Sequence, residues 1–308
     1  MRKTLLSQIL SSSPPGSWAH WVASDEGQPA KETRELLDTW VLGLPESKQS
    51  RVLDRFKKNE TNAENIEALI HEIVTNELLH RFNLASEFDP TVNKLTPDIA
   101  FYIANQKFIS DVFVTHSPQR TVRCYRDGTG EADDNGDRAR KIGDTLVEKA
   151  HKYANTKLPL VIFLYLGDHI LSGRDVEKAL FGLTIGEIEP GERFQDTCGA
   201  RKFGGVFLSI ADGGLPRYPN LSAVVVCDWF DTLNRSKPGK RLHCLVLHHY
   251  SPDVPLPPGA LGPFPEVTWQ PRSSMHWAPH ITGQPNIVAR FAAERQLEFG
   301  IYTSDAPW

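Results

Sequence analysis

Two aspartates, Asp98 and Asp111, carry the strongest chemical signal in the chain. Asp98 follows Pro97 at the head of Ile99-Ala100-Phe101-Tyr102-Ile103, where Ile99, Phe101 and Ile103 alternate as in a half-buried strand. Asp111 falls inside a second strand-like run, residues 108–115, and shares one face with Ile109, Phe113 and Thr115. Strands disfavour Asp, and an ionised carboxylate among such neighbours needs a partner. Asn105-Gln106 offers a turn between the runs, which makes them a β-hairpin. Converging carboxylates with a cation nearby are what a divalent-metal site needs to activate water against a phosphodiester. Each residue also has a plainer reading. Pro-Asp is common at turns, and Asp111 could face water from an edge strand. The pair at hairpin spacing is more specific than either residue alone.

A third carboxylate is available upstream. Ile66, Leu69, Ile70, Ile73 and Val74 form an apolar stripe that predicts a helix over about 63–81. Glu67 lies at the edge of that stripe, and His71 follows one turn later on the same side. Glu67 could equally be a solvated helix residue, and a histidine at such a position more often packs or caps than ligates. The cation is less obvious. The residue two beyond Asp111 would share its face, but it is Phe113, which holds no charge. Lys149 is the best substitute, because it borders the apolar face of a helix predicted over about 137–155. Lys107, near the turn, and Lys141 are the other options. Arg120, Arg123 and Arg126 lie in a polar loop over 116–137 and could contact phosphate.

These residues need a scaffold, and the pattern supplies an α/β one. The helix over 63–81, the hairpin, the helix over 137–155 (Ile142, Leu146, Ala150 and Tyr153 inward) and the apolar run Leu158–Leu166 follow in order. An unbroken apolar run suits a strand buried on both faces, so hairpin, crossover helix and run form a βαβ unit. Before it, residues 1–60 read as a helical extension. Its Ser- and Pro-rich start is expected to be irregular over 1–30, with helices from Thr33 and over Ser47–Lys57. After it, residues 171–308 read as a mixed α/β extension packed on the 61–170 core. That extension holds a helix over 173–182, strands over Ser222–Trp229 and Leu242–Tyr250, a proline-dense surface wrap over 251–287 and a last helix over 287–297.

The order of helix, hairpin, crossover helix and buried strand resembles the common core of the PD-(D/E)xK nuclease superfamily, the restriction-endonuclease-like fold. More narrowly the chain resembles an uncharacterised bacterial family with that core. The matching stretches are Ile66-Glu67-Ala68-Leu69-Ile70-His71-Glu72, Thr96-Pro97-Asp98-Ile99 and Asp111-Val112-Phe113-Val114. Weaker matches are Glu148-Lys149-Ala150-His151-Lys152-Tyr153, Ala179-Leu180-Phe181-Gly182 and Pro255-Leu256-Pro257. The resemblance implies a Mg²⁺- or Mn²⁺-dependent hydrolase cutting DNA, with RNA left open as the alternative substrate. Asp98, Asp111 and Glu67 would hold the metal, and Lys149 would act on the attacking water or the transition state. The departure at Phe113 keeps open an inactive nuclease fold that binds nucleic acid or a protein, and a metal enzyme for another substrate.

Bulk properties narrow the field. A net charge of −4 over 308 residues excludes coating nucleic acid through global basicity, so any contact must use a local patch. No apolar run reaches the roughly 20 residues of a membrane-spanning helix. Cys124, Cys198, Cys227 and Cys244 form no CxxC pair. Cys227 and Cys244 sit in apolar runs as small hydrophobes. The expectation is a reducing, cytoplasmic compartment, with nucleic acid as partner and room for a homodimer.

Overall fold

The computed structural model describes residue 15 and residues 18–116, 137–167, 171, 173–181, 205–209, 215–230, 238–262, 264–273, 276–282 and 297–298. The architecture is mixed α/β. Helices α1 (Trp18–Ser24), α2 (Gln28–Gly43), α3 (Glu46–Lys58) and α4 (Ala63–Arg81) come first. Strands β1 (Ser86–Phe88), β2 (Ile99–Ile103) and β3 (Gln106–Thr115) follow. Next are α5 (Asp137–Tyr153), a 3₁₀ turn (Ala154–Thr156), β4 (Leu160–Leu166) and α6 (Gly173–Phe181). The remaining strands are β5 (Leu208–Ser209), β6 (Leu215–Pro216), β7 (Leu221–Phe230), β8 (Pro238–His248), β9 (Glu266–Ser273), β10 (His276–Thr282) and β11 (Leu297–Glu298).

One sheet runs through the molecule in the order β1-β2-β3-β4-β7-β8-β9-β10, with β11 on β8 and a separate β5-β6 pair. Strands β3, β4 and β7 are mutually parallel, and the hairpin partners β2/β3 and β7/β8 are antiparallel. β4 shows why its sequence is unbroken. Val161, Phe163 and Tyr165 enter the core beneath α1–α4, while Leu160, Ile162, Leu164 and Leu166 enter the core beneath α5 and α6. A strand covered on both faces has no polar side to alternate with. Among the described residues no helix is long and apolar enough to cross a membrane.

α4 begins where Asn62 accepts the Asn65 amide, and Asn83 at φ 58° ends the segment in the left-handed region. The β2–β3 turn is Ala104-Asn105, both at positive φ (46° and 68°), one residue earlier than the Asn105-Gln106 expected. Two-residue hairpin loops need positive φ at both positions, and Gln106 already pairs with Ile103.

Two expectations for the flanks are corrected. Helical structure starts with α1, well before Thr33, and α2 tolerates Pro29 because it sits in the first turn. The proline-dense stretch is not only a wrap. It contains β9 and β10, and Pro271 and Pro279 fit because β10 is the edge strand and the β9/β10 register is broken between His276 and Trp277. The last helix, expected over 287–297, falls on 287–296 outside the described residues, and Leu297 is in strand β11. β7 pairs with β4 and β8 pairs with β7, so the strands of the C-terminal part continue the central sheet.

Candidate active site at the edge of strand β3

The site arises because β2 is shorter than β3. Their pairing runs from Ile103↔Gln106 to Ile99↔Ser110 and stops, while β3 continues beside β4 to Thr115↔Leu166. From Asp111 onward β3 therefore has no strand partner on that edge among the described residues, and its amides need other partners. The half-buried Asp98, one residue before β2, supplies one: its Oδ2 accepts the Val112 N–H at 2.7 Å. Asp98 thereby finishes the ladder with a side chain and brings a carboxyl group beside Asp111.

Asp111 is wholly buried and points toward α5. Lys149, Lys152 and Tyr153, at i, i+3 and i+4 on that helix, converge on it. Lys149 Nζ lies 2.8 Å and Lys152 Nζ 3.4 Å from Asp111 Oδ2, and the Tyr153 hydroxyl donates to Oδ1. Burial works against the Lys149 ammonium, but Asp111 outweighs it and the lysine pKa is raised above its ordinary value. Lys149 is therefore a fixed positive charge. Burial and the neighbouring carboxylates push the Tyr153 phenol far up, so it is a neutral donor.

Glu72 approaches from α4. It is buried, and both its oxygens accept from Arg55 of α3 at 2.6 Å, a bidentate pair across the two helices. Burial, then the charges of Glu72 and Asp111, raise the Asp98 pKa well above the aspartate range; the Val112 amide and Lys149 oppose the rise. Burial likewise raises Glu72, against Arg55. Three carboxylates and three cations thus meet where α3, α4, α5, β2 and β3 come together. Burial and the charges of Glu72 and Asp111 thus disfavour the ionised form of Asp98, which is a mark of functional sites.

Of the residues singled out from sequence, Asp98, Asp111 and Lys149 come together. Glu67 is placed elsewhere: its Oε2 is 3.4 Å from His116 Nε2, and Glu72 is the helix carboxylate whose charge acts on Asp98. The stripe misled because α4 has no solvent side there. Every residue from Leu69 to Asn76 is buried, the sheet covering one side and α1–α3 the other. A charged residue amid such a run was the available signal for Glu72. His71 is structural, bonded to the Glu67 carbonyl and the Trp229 indole. Lys107 lies at the turn end of β3, 3.9 Å from Glu87, and Lys141 donates to the His116 carbonyl at 2.8 Å. Phe113 packs in the apolar core beneath α5. Arg120, Arg123 and Arg126 lie outside the described residues. Lys152, Tyr153 and Arg55 were missed. The inward direction of Tyr153 was legible, but which acid its hydroxyl would meet depends on the crossover.

Among the described residues no group of three or more His, Cys, Asp or Glu is disposed to hold a metal ion. Mg²⁺ does not require one. It is bound through one or two carboxylates, completed by waters and substrate phosphate. Asp98 and Asp111 offer hard oxygen donors of the right kind, and the raised pKa of Asp98 is what an added cation would relieve. No family model, no curated protein and no solved structure matches the chain.

Proposed function

We propose that the chain is a metal-dependent nuclease of the PD-(D/E)xK kind, with a restriction-endonuclease-like core from α4 to β4, that hydrolyses phosphodiester bonds of DNA. The observation that carries the reading is Lys149. Its ammonium reaches Asp111 at 2.8 Å from the crossover helix, replacing the charge that Phe113 lacks on the strand. Asp98 and Asp111 would hold Mg²⁺ or Mn²⁺, while Glu72, paired through both oxygens with Arg55, acts on Asp98 by its charge. When bound, such an ion makes water acidic enough to attack and offsets charge on the phosphate. Lys149, already protonated, orients the attacking water and stabilises developing negative charge; it is not the base. Tyr153 orients the Asp111 carboxylate by donating to its Oδ1. Arg120, Arg123 and Arg126 stay as proposed phosphate contacts from the loop after β3.

The test is incubation with supercoiled plasmid, linear duplex, single-stranded DNA and RNA in Mg²⁺, Mn²⁺ or EDTA. Cleavage is expected with either metal, absent in EDTA and lost in Asp98→Ala and Asp111→Ala. Folded protein that cuts none of these at high concentration overturns the reading. That outcome favours the second one, a nuclease fold that binds nucleic acid or a protein without cutting. A specific observation speaks for it: Arg55 already occupies both oxygens of Glu72.

A further inference from the structure

Lys141, Lys149 and Lys152 stand at i, i+8 and i+11 of α5, within about 80° of one another around the helix and over about 16 Å along it. A cation row on a helix flank is by default a solvated face. Lys141 and Lys152 are exposed, but their ammonium groups and that of Lys149 reach acceptors along β3. Lys149 and Lys152 reach Asp111 Oδ2, and Lys141 reaches the His116 carbonyl, just beyond the end of β3. The acids of the same helix, Asp144 and Glu148, are exposed.

The two lysines at Asp111 are not equivalent. Lys149 makes the shorter contact, 2.8 Å, and one ammonium balances one carboxylate. Lys152 is farther, at 3.4 Å, and its side chain is 38% exposed, so it is the member an incoming anion can reach. Its Nζ rests 4.6 Å from the centre of the Tyr153 ring, which keeps the charge aimed at the site rather than at bulk water. The protein as a whole is acidic, at −4, so nucleic acid would be drawn only to a local patch of this kind.

We propose that Lys152, with Lys141 farther along α5, binds the phosphodiester backbone of a nucleic acid laid along this flank, while Lys149 keeps its place beside Asp111. The identity of the ligand rests on the nuclease reading; the binding itself requires no cleavage. The experiment is fluorescence anisotropy with labelled duplex and single-stranded DNA, in EDTA, over a range of salt. The full-length variants are Lys152→Met (which keeps the stem on the Tyr153 ring), Lys152→Ala, Lys141→Ala and, as a charge-matched control, Lys58→Ala on the exposed end of α3. Each flank variant should bind several-fold more weakly. Each should also lose about 0.9 from the slope of log K against log salt on duplex, or about 0.7 on single strands. Lys58→Ala should leave the slope unchanged. Flank variants that bind with the control's slope overturn the proposal, as does native protein that binds neither DNA. Weakened binding by the variants together with no cleavage by the native protein would overturn the nuclease reading and leave the lysine flank standing.

Discussion

Two polar clusters are buried against the central sheet, and they meet burial in opposite ways. Under α4, the Trp229 indole can only donate, so His71 Nε2 accepts from it at 3.0 Å and Nδ1 carries the proton given to the Glu67 carbonyl at 2.7 Å. The Thr75 hydroxyl completes the set with the His71 carbonyl at 2.8 Å and the Tyr165 hydroxyl at 2.9 Å. Burial lowers the His71 pKa, so the ring is neutral and the network carries no charge. At the β3 edge nearly every member is ionisable, and Asp98 is raised by burial and by the charges of Glu72 and Asp111. A neutral network with its donors matched to acceptors stabilises and specifies packing. A cluster of charges from five elements, with one carboxyl pushed up by its neighbours, keeps a cost that a ligand would remove. The contrast separates support from site without appeal to any relative.

The largest effect that sharpens the contrast is Asp111→Ala. Cleavage should fall by well over about 100-fold, more than the usual loss from a residue that only supports a metal ligand. The variant should also be destabilised, because Lys149 and Lys152 lose their shared partner. The loss should stay below the about 3–5 kcal/mol of a fully buried broken pair, since both lysines are partly solvated. Cleavage rates and urea melts check both. A variant that cuts at the native rate would remove Asp111 from the chemistry.

Next in size is Trp229→Phe, on the neutral side. It leaves His71 Nε2 without its donor in a buried place, which should cost about 1–3 kcal/mol. Rates at saturating substrate and the pH profile should not change while the protein stays folded. A shifted pH profile would mean that the two clusters are coupled through the sheet.

The difference between the clusters also explains how much could be read from sequence. Asp111 was legible because a charged residue in a strand is costly, and α4, the hairpin, α5 and β4 were legible because their periodicities are clear. Glu72 was not, because a one-sided stripe presumes solvent on the other side and α1–α3 remove it. The role of Tyr153 was hidden because an inward phenol counts as apolar until its partner is known. Arg55 could not be assigned at all, since nothing local to α3 shows that it faces Glu72. β9 and β10 were obscured by prolines that only an edge position or a broken register permits.

A smaller effect, of unusual sign, is expected from Asp98→Asn. The folded pKa of Asp98 lies above its unfolded value, so between the two the folded state binds the extra proton. The stability tied to this carboxyl is complete below the unfolded value of about 3.9 and is lost as pH rises through the folded value. At neutral pH the ionised or constrained acid is therefore a burden. Asparagine cannot ionise and can still accept the Val112 amide. In EDTA its melting temperature at pH 7 should exceed that of the native protein by about 2–4 °C, with the gap closing toward pH 4. Thermal melts across that range decide it. A variant less stable than native protein at pH 7 would mean that the charge of Asp98 is already compensated, and the case for a missing cation would weaken.

The smallest effect should come from Lys107→Ala, and its smallness is informative. Lys107 lies on the Asp111 side of β3 by alternation and so competes with Lys149 for the catalytic charge. Yet it sits at the turn end, 3.9 Å from the half-exposed Glu87 and 5.7 Å from the centre of the Tyr102 ring. An exposed pair at that distance contributes little, so stability should change by no more than about 0.5 kcal/mol, and cleavage should not change. Lys149→Ala, measured beside it, should lose about 100-fold or more in kcat, as expected for removal of a fixed charge aimed at the transition state. Equal losses in the two variants would indicate general electrostatics rather than a placed ammonium. A loss confined to Lys107→Ala would move the charge back to the strand, and the crossover helix would become support.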